Sequence, residues 1–173
     1  MNIFIDGGSR GNPGESALAV VIFDEAGKEV ERFGKRLGKE TNNYAEYAAL
    51  IEALRYVADR GGVSLQPPRS KRGAVFSTHR SAGNPGEVTV YSDSELLVYQ
   101  LSGRYKVRSE NLLPLFREAE KYLKAMRFVH VEHVGRERNE IADWIVNRVL
   151  DGKPYRPADR SREGKPSEES PGS

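Results

Sequence analysis

The sequence predicts an α/β chain: a five-stranded mixed sheet flanked by helices, in the order βββαβααβα. Three observations carry this. Short apolar runs, alternating in residues 2–6 and 128–134, mark five strands, one ending in Asp6 and another stopping at Asp93. Amphipathic stripes bounded by capping residues and glycines mark four helices. After the first three strands, helices are interspersed with two further strands along the chain. The length of 173 residues suits one domain with a substantial core.

Residues 2–6 (NIFID) alternate as a strand ending in Asp6, and GGSRGNPG after it reads as a glycine-rich turn. ALAVVIFD (17–24) and KEVERFGKRL (28–37), separated by Glu25-Ala26-Gly27, form a hairpin. Thr41, Asn42 or Asn43 caps a helix whose stripe is Ala45, Ala48, Ala49, Leu50, Ile51, Leu54 and Val57. Gly61-Gly62 ends it. Residues 63–86, with Pro67-Pro68 and scattered Ser and Gly, have no period and read as an irregular loop. VTVYS (88–92) is a strand that stops at Asp93. Residues 94–101 and 110–125 are helices, the second capped by Ser109. FVHVEHV (128–134) alternates as the last strand. Asn139 then caps a final helix, EIADWIVNRVL, with Ile141, Trp144, Ile145 and Val149 inward. The expected domain is residues 1–150, with an irregular basic insertion at 61–86. The segment 151–173 is rich in Pro, Ser, Glu and Arg, has little to bury, and is expected to be a disordered tail.

Composition narrows the chemistry. The absence of cysteine excludes disulfides, thiol catalysis and thiolate zinc sites. Three histidines (His79, His130 and His133) are too few for a histidine cage, so any metal is a hard cation on carboxylates. No apolar run approaches the roughly 18 residues of a membrane span. MNIFID opens without a leader, so a cytoplasmic protein without a membrane partner is expected. The net charge of +2 is uneven: residues 61–86 carry +4 through Arg69, Lys71, Arg72 and Arg80, while 151–173 balance. What remains is slightly acidic. Such a chain holds a polyanion through local geometry or metal ions, not through bulk charge.

Four carboxylates stand at corresponding places. Asp6 and Asp93 each end a strand, so parallel pairing of those strands would set them side by side at the carboxyl edge of the sheet. Glu46 is read into the first turn of its helix, and Asp143 lies near the start of the last helix. Acids crowded into one cleft repel unless cations neutralise them. Mg²⁺ suits oxygen ligands, and a pair of such ions can serve an in-line displacement at phosphorus. The chemistry points to metal-assisted phosphodiester hydrolysis.

The flanking residues sharpen this. Asp6-Gly7-Gly8-Ser9-Arg10-Gly11-Asn12-Pro13-Gly14, Thr41-Asn42-Asn43-Tyr44-Ala45-Glu46, Tyr91-Ser92-Asp93-Ser94 and Asn139-Glu140-Ile141-Ala142-Asp143 resemble, in order, four blocks of ribonuclease HI. They span residues 2–150. The resemblance implies a ribonuclease H-like fold and an endonuclease acting on the RNA strand of RNA–DNA hybrids, largely without sequence preference. It implies 3′-hydroxyl and 5′-phosphate products. By the same resemblance Asp6, Glu46, Asp93 and Asp143 are the catalytic, metal-binding acids for two Mg²⁺, with Mn²⁺ as substitute. His133 takes the place of a mobile catalytic histidine. Gly11, Asn12, Lys39, Thr41, Asn42, Asn43, Ser94 and Asn139 are the expected substrate contacts, among which polar groups reach 2′-hydroxyls. Gly103-Arg104-Tyr105-Lys106-Val107-Arg108 leads straight into the next helix, so the chain resembles the branch without the basic protrusion. That leaves double-stranded RNA open as a further substrate, and an inert hybrid-binding module as the contrasting reading. Glu95 stands where the family commonly has a neutral residue. A monomer is expected.

Overall fold

The computed structural model describes residues 1–61 and 86–153. Residues 62–85 of the basic insertion, His79 among them, and the tail beyond Lys153 lie outside the described residues. Three antiparallel strands open the chain: β1 (Asn2–Gly11), β2 (Gly14–Phe23) and β3 (Glu29–Glu40). Helix α1 (Asn42–Gly61) follows. Then come β4 (Val88–Ser92), α2 (Glu95–Leu101), α3 (Leu113–Ala125), β5 (Val129–His133) and α4 (Glu140–Leu150). The sheet order is β3-β2-β1-β4-β5, with β4 parallel to both β1 and β5. The expected element order and mixed sheet are those observed.

The core has two layers because β2 is apolar on both faces. Leu18, Val20 and Ile22 join Ile3, Ile5, Leu50 and Leu54 under α1. Ala17, Ala19 and Val21 meet Ala142, Ile145 and Val146 under α4. Alternation along one strand thus supplies both layers. The small alanines suit the close approach of α4.

Several local readings change. The glycines after Asp6 are not a turn: β1 runs through them to Gly11, and the reversal is confined to Asn12-Pro13. The reason is helix packing. A Cβ at Gly7 would lie 2.2 Å from backbone atoms of Ala45 and Glu46, and one at Gly8 would lie 2.8 Å from Val146. Glycine there lets a helix seat directly on each face of β1. Ser109 does not cap α3; its carbonyl accepts from the amides of Leu112 and Leu113 in a preceding turn. The helix starts at Leu113 with Pro114 in its first turn. In α4 the buried stripe is Ala142, Ile145, Val146 and Leu150, while Ile141, Trp144 and Val149 flank it half-buried. Residues 102–112 join α2 to α3 without an intervening helix.

Candidate active site

Parallel pairing of β1 with β4 matches Ile5 to Ser92, so Asp6 and Asp93, the next residue on each strand, leave the sheet edge together. Glu46 arrives from α1, whose start is set by Thr41: its Oγ1 accepts from the amide of Tyr44 at 3.2 Å. Glu46 is the fifth residue of that helix, one turn further in than the sequence suggests. Gly7 is what lets it approach. Carboxylate oxygens of Asp6, Glu46 and Asp93 lie within 4.8 Å of one another.

Burial makes this cluster strained as long as it holds only protons. Asp6 is 7% exposed and Glu46 5%. Loss of hydration, and then the charges of Asp93 and Asp143, push the Asp6 carboxyl up to about 7. Burial followed by the charges of Asp6 and Asp93 raises Glu46 well above the usual range, while a hydrogen bond from Ser92 and the charge of Arg136 pull the other way. One Glu46 oxygen, Oε2, is fully buried with no hydrogen-bond partner. An orphaned carboxylate oxygen beside two more acids fits a cation with oxygen ligands. The oxygens of Asp6, Glu46 and Asp93 are thus placed so that they could hold a divalent metal ion.

Asp143 stands apart from this trio. It sits in the first turn of α4, exposed, and its Oδ2 accepts from Asn147 at 3.1 Å. Its field still reaches Asp6. His133 ends β5 opposite Ser92, exposed and outside the trio.

The expected substrate contacts fall into three groups. At the hairpin tip, Asn12 Oδ1 accepts from the amide of Asn42, and Asn42 Oδ1 accepts from the amide of Ser9, both at 3.2 Å. Gly11 makes this closure with φ of +100°, and Asn12 and Asn42 are exposed. Lys39 is exposed near the end of β3, and Asn43 is half-buried in the first turn of α1. Ser94 caps α2 by accepting from the Leu97 amide at 3.4 Å.

Asn139 departs most from expectation. It precedes α4 but makes no side-chain cap bond. At 1% exposure, its amide donates instead to the Ile5 carbonyl at 2.9 Å and to Asp93 Oδ1 at 3.1 Å. It clasps β1 to Asp93. Sequence reading also missed Ser92, which is fully buried beside Glu46, and Arg136, whose Nε lies 3.6 Å from Asp93 Oδ2. Ser92 is legible as a hydroxyl at an inward strand position; Arg136 gives only a basic residue in an irregular stretch.

A family model described as reverse transcriptase-like matches residues 4–65 and 84–149. The solved LC11-RNase H1, in complex with an RNA/DNA hybrid, is 34% identical, with a TM-score of 0.69 covering 87% of this chain and 96% of that one. The chain belongs to the ribonuclease HI family. Ribonuclease HI of Halobacterium salinarum is 32% identical over 151 residues, 87% of this chain and 64% of that protein. A bifunctional protein of Mycobacterium tuberculosis is 35% identical over 147 residues, 84% of this chain. The chain spans 34% of the length of that mycobacterial relative. The five-stranded sheet with its four helices is the ribonuclease H fold. Among the described residues no helix is long and apolar enough to cross a membrane.

Proposed function

We propose that this ribonuclease HI homologue is a metal-dependent endonuclease that hydrolyses the RNA strand of RNA–DNA hybrids. The observation that carries the reading is the trio of Asp6, Glu46 and Asp93, two of them buried, in which one Glu46 oxygen has no hydrogen-bond partner. A relative solved on an RNA/DNA hybrid supports the choice of substrate.

In this reading Asp6, Glu46 and Asp93 hold Mg²⁺ or Mn²⁺, and Asp143 contributes from the rim to a second ion. When bound, such ions neutralise the acids and stabilise the charge that develops at the scissile phosphate. Asn139 and Ser92 orient Asp93 and Glu46. His133, free at the end of β5, carries a proton to the leaving 3′ oxygen, so that the products are a 3′-hydroxyl and a 5′-phosphate. Gly11, Asn12, Asn42, Asn43 and Ser94 face the RNA strand and meet its 2′-hydroxyls. Lys39 and Thr41 receive a phosphate of the DNA strand. None of these contacts reads a base, so cleavage is largely independent of sequence.

The test is cleavage of an end-labelled RNA–DNA hybrid with Mg²⁺ or Mn²⁺, beside RNA–RNA and DNA–DNA duplexes and an Asp93→Asn variant. Cuts confined to the RNA of the hybrid, lost with chelator and in the variant, are expected. Folded, metal-loaded protein that binds hybrid and cuts nothing would leave only a binding module.

A further inference from the structure

Arg136 opens the 3-10 turn Arg136–Arg138 between β5 and α4. The backbone of that turn is fixed: Arg138 donates to the Gly135 carbonyl at 3.0 Å, and Asn139 donates to the Arg136 carbonyl at 2.9 Å. The Arg136 side chain stands out in solvent, 93% exposed. The same turn therefore carries the buried amide that holds Asp93 Oδ1 at 3.1 Å and the exposed guanidinium 3.6 Å from Asp93 Oδ2.

The two oxygens of Asp93 are thus held in opposite ways. Oδ1 has a buried hydrogen bond. Oδ2 faces a charge too distant for a hydrogen bond and too solvated to be held firmly. It is the oxygen left for a cation. Among the described residues, Arg136 is also the only base ion-paired with any of the three acids. A planar guanidinium is moreover the group best shaped to fork onto phosphate oxygens, which a lysine ammonium meets only as a point charge.

We propose that Arg136 is an exchangeable counter-charge: it pairs with Asp93 Oδ2 while the acids are bare, yields that oxygen to an arriving divalent cation, and then binds a phosphate of the nucleic acid. This rests on the hydrolase reading above. The proposal makes substrate capture follow metal loading, since the guanidinium is released to the phosphate when Asp93 no longer needs it.

The experiment pairs two measurements on wild type, Arg136→Gln and Arg136→Lys. Mn²⁺ affinity without substrate is read by titration of the free-ion EPR signal, and KM and kcat are read on a hybrid. Loss of the competing charge in Arg136→Gln should tighten Mn²⁺ binding about three- to tenfold. The same variant should raise KM about tenfold with kcat much less changed, a loss of uniform binding. Arg136→Lys keeps the charge and loses the fork, so Mn²⁺ affinity stays near wild type while KM remains raised. Unchanged or weaker Mn²⁺ binding in Arg136→Gln overturns the proposal, as does an unchanged KM. If wild type cuts no hybrid, the phosphate half falls together with the hydrolase reading, whereas the Mn²⁺ titration still decides the counter-charge half.

Discussion

Helices α1 and α4 pack on opposite faces of β1, each through a glycine, and each brings an acid to the same sheet edge. They deliver those acids in opposite states. On α1, Glu46 is buried with an orphaned oxygen, in a helix whose backbone touches the site of Gly7. On α4, Asp143 is exposed and has a partner in Asn147, and only a side chain, Val146, crowds Gly8. One acid is committed to the cluster and the other attends it from the rim. The difference teaches that closeness to a strand end does not by itself make a ligand; the depth of the helix that carries it does.

Glu46→Gln should break the comparison most visibly. Losing a group that merely orients a metal ligand costs about 10- to 100-fold, so losing a buried ligand oxygen should cost about a thousandfold or more in cleavage rate. Mn²⁺ titration should show weakened binding as well. Asp143→Asn keeps a polar rim residue and should cost only about 10- to 100-fold. Equal losses in the two variants, measured under matched metal, would erase the distinction between committed and attending acids.

The next effect is structural. Gly7→Ala places a Cβ 2.2 Å from helix backbone, which cannot give way without moving α1 and Glu46 with it. Gly8→Ala meets a valine methyl at 2.8 Å, which a rotamer change can relieve. Denaturant unfolding should therefore show Gly7→Ala down by more than about 3 kcal/mol and Gly8→Ala by about 1 kcal/mol. Gly7→Ala should lose metal binding in whatever fraction stays folded; Gly8→Ala should keep it.

Asn139 ties the comparison together, since it precedes α4 yet holds Asp93. Asn139→Ala leaves the Ile5 carbonyl without its side-chain donor, which should cost about 1–3 kcal/mol. It also frees Asp93 and should lower activity about tenfold. Asn139→Asp, which restores shape but adds a fourth charge, should be worse for Mg²⁺-free stability than Asn139→Ala. The reverse order would show that the amide acts only by filling space.

What was legible in the chain follows the same division. Asp6 and Asp93 could be placed because a strand ending on an acid is a local pattern, and parallel pairing then brings two such ends together. Glu46 was legible as a residue but not in depth: its burial depends on Gly7, which local rules read as a turn. Glycine in a strand and glycine in a turn look alike until a helix lies on top. Asn139 stands at the N-cap of the last helix as read, but its side chain does not make the bond that an asparagine there ordinarily makes. Here its amide is taken by a carbonyl on β1, far away in sequence, and no local signal records that. Arg136 was invisible because an exposed arginine acquires meaning only from the acid it faces.

The remaining effect concerns Asp6 alone, and it reads the strain of the committed side directly. A carboxyl raised from 3.8 to about 7 holds its proton more tightly folded than unfolded. The folded state consequently loses stability as pH climbs through that window, where the unfolded chain ionises freely and Asp6 cannot. Asp6→Asn removes this liability. In metal-free protein its advantage over wild type should be slight at pH 4, grow to about pH 7 and then level off. By pH 8 it should reach on the order of 4 kcal/mol, a rise in Tm of about 10 °C. Saturating Mg²⁺ should reverse the order at pH 8, because wild type gains the free energy of metal binding and the variant does not. Thermal melts at the two pH values, with and without Mg²⁺, decide it. An Asp6→Asn advantage that is the same at pH 4 and pH 8 would mean that Asp6 ionises freely in the folded state and that the acids are not crowded.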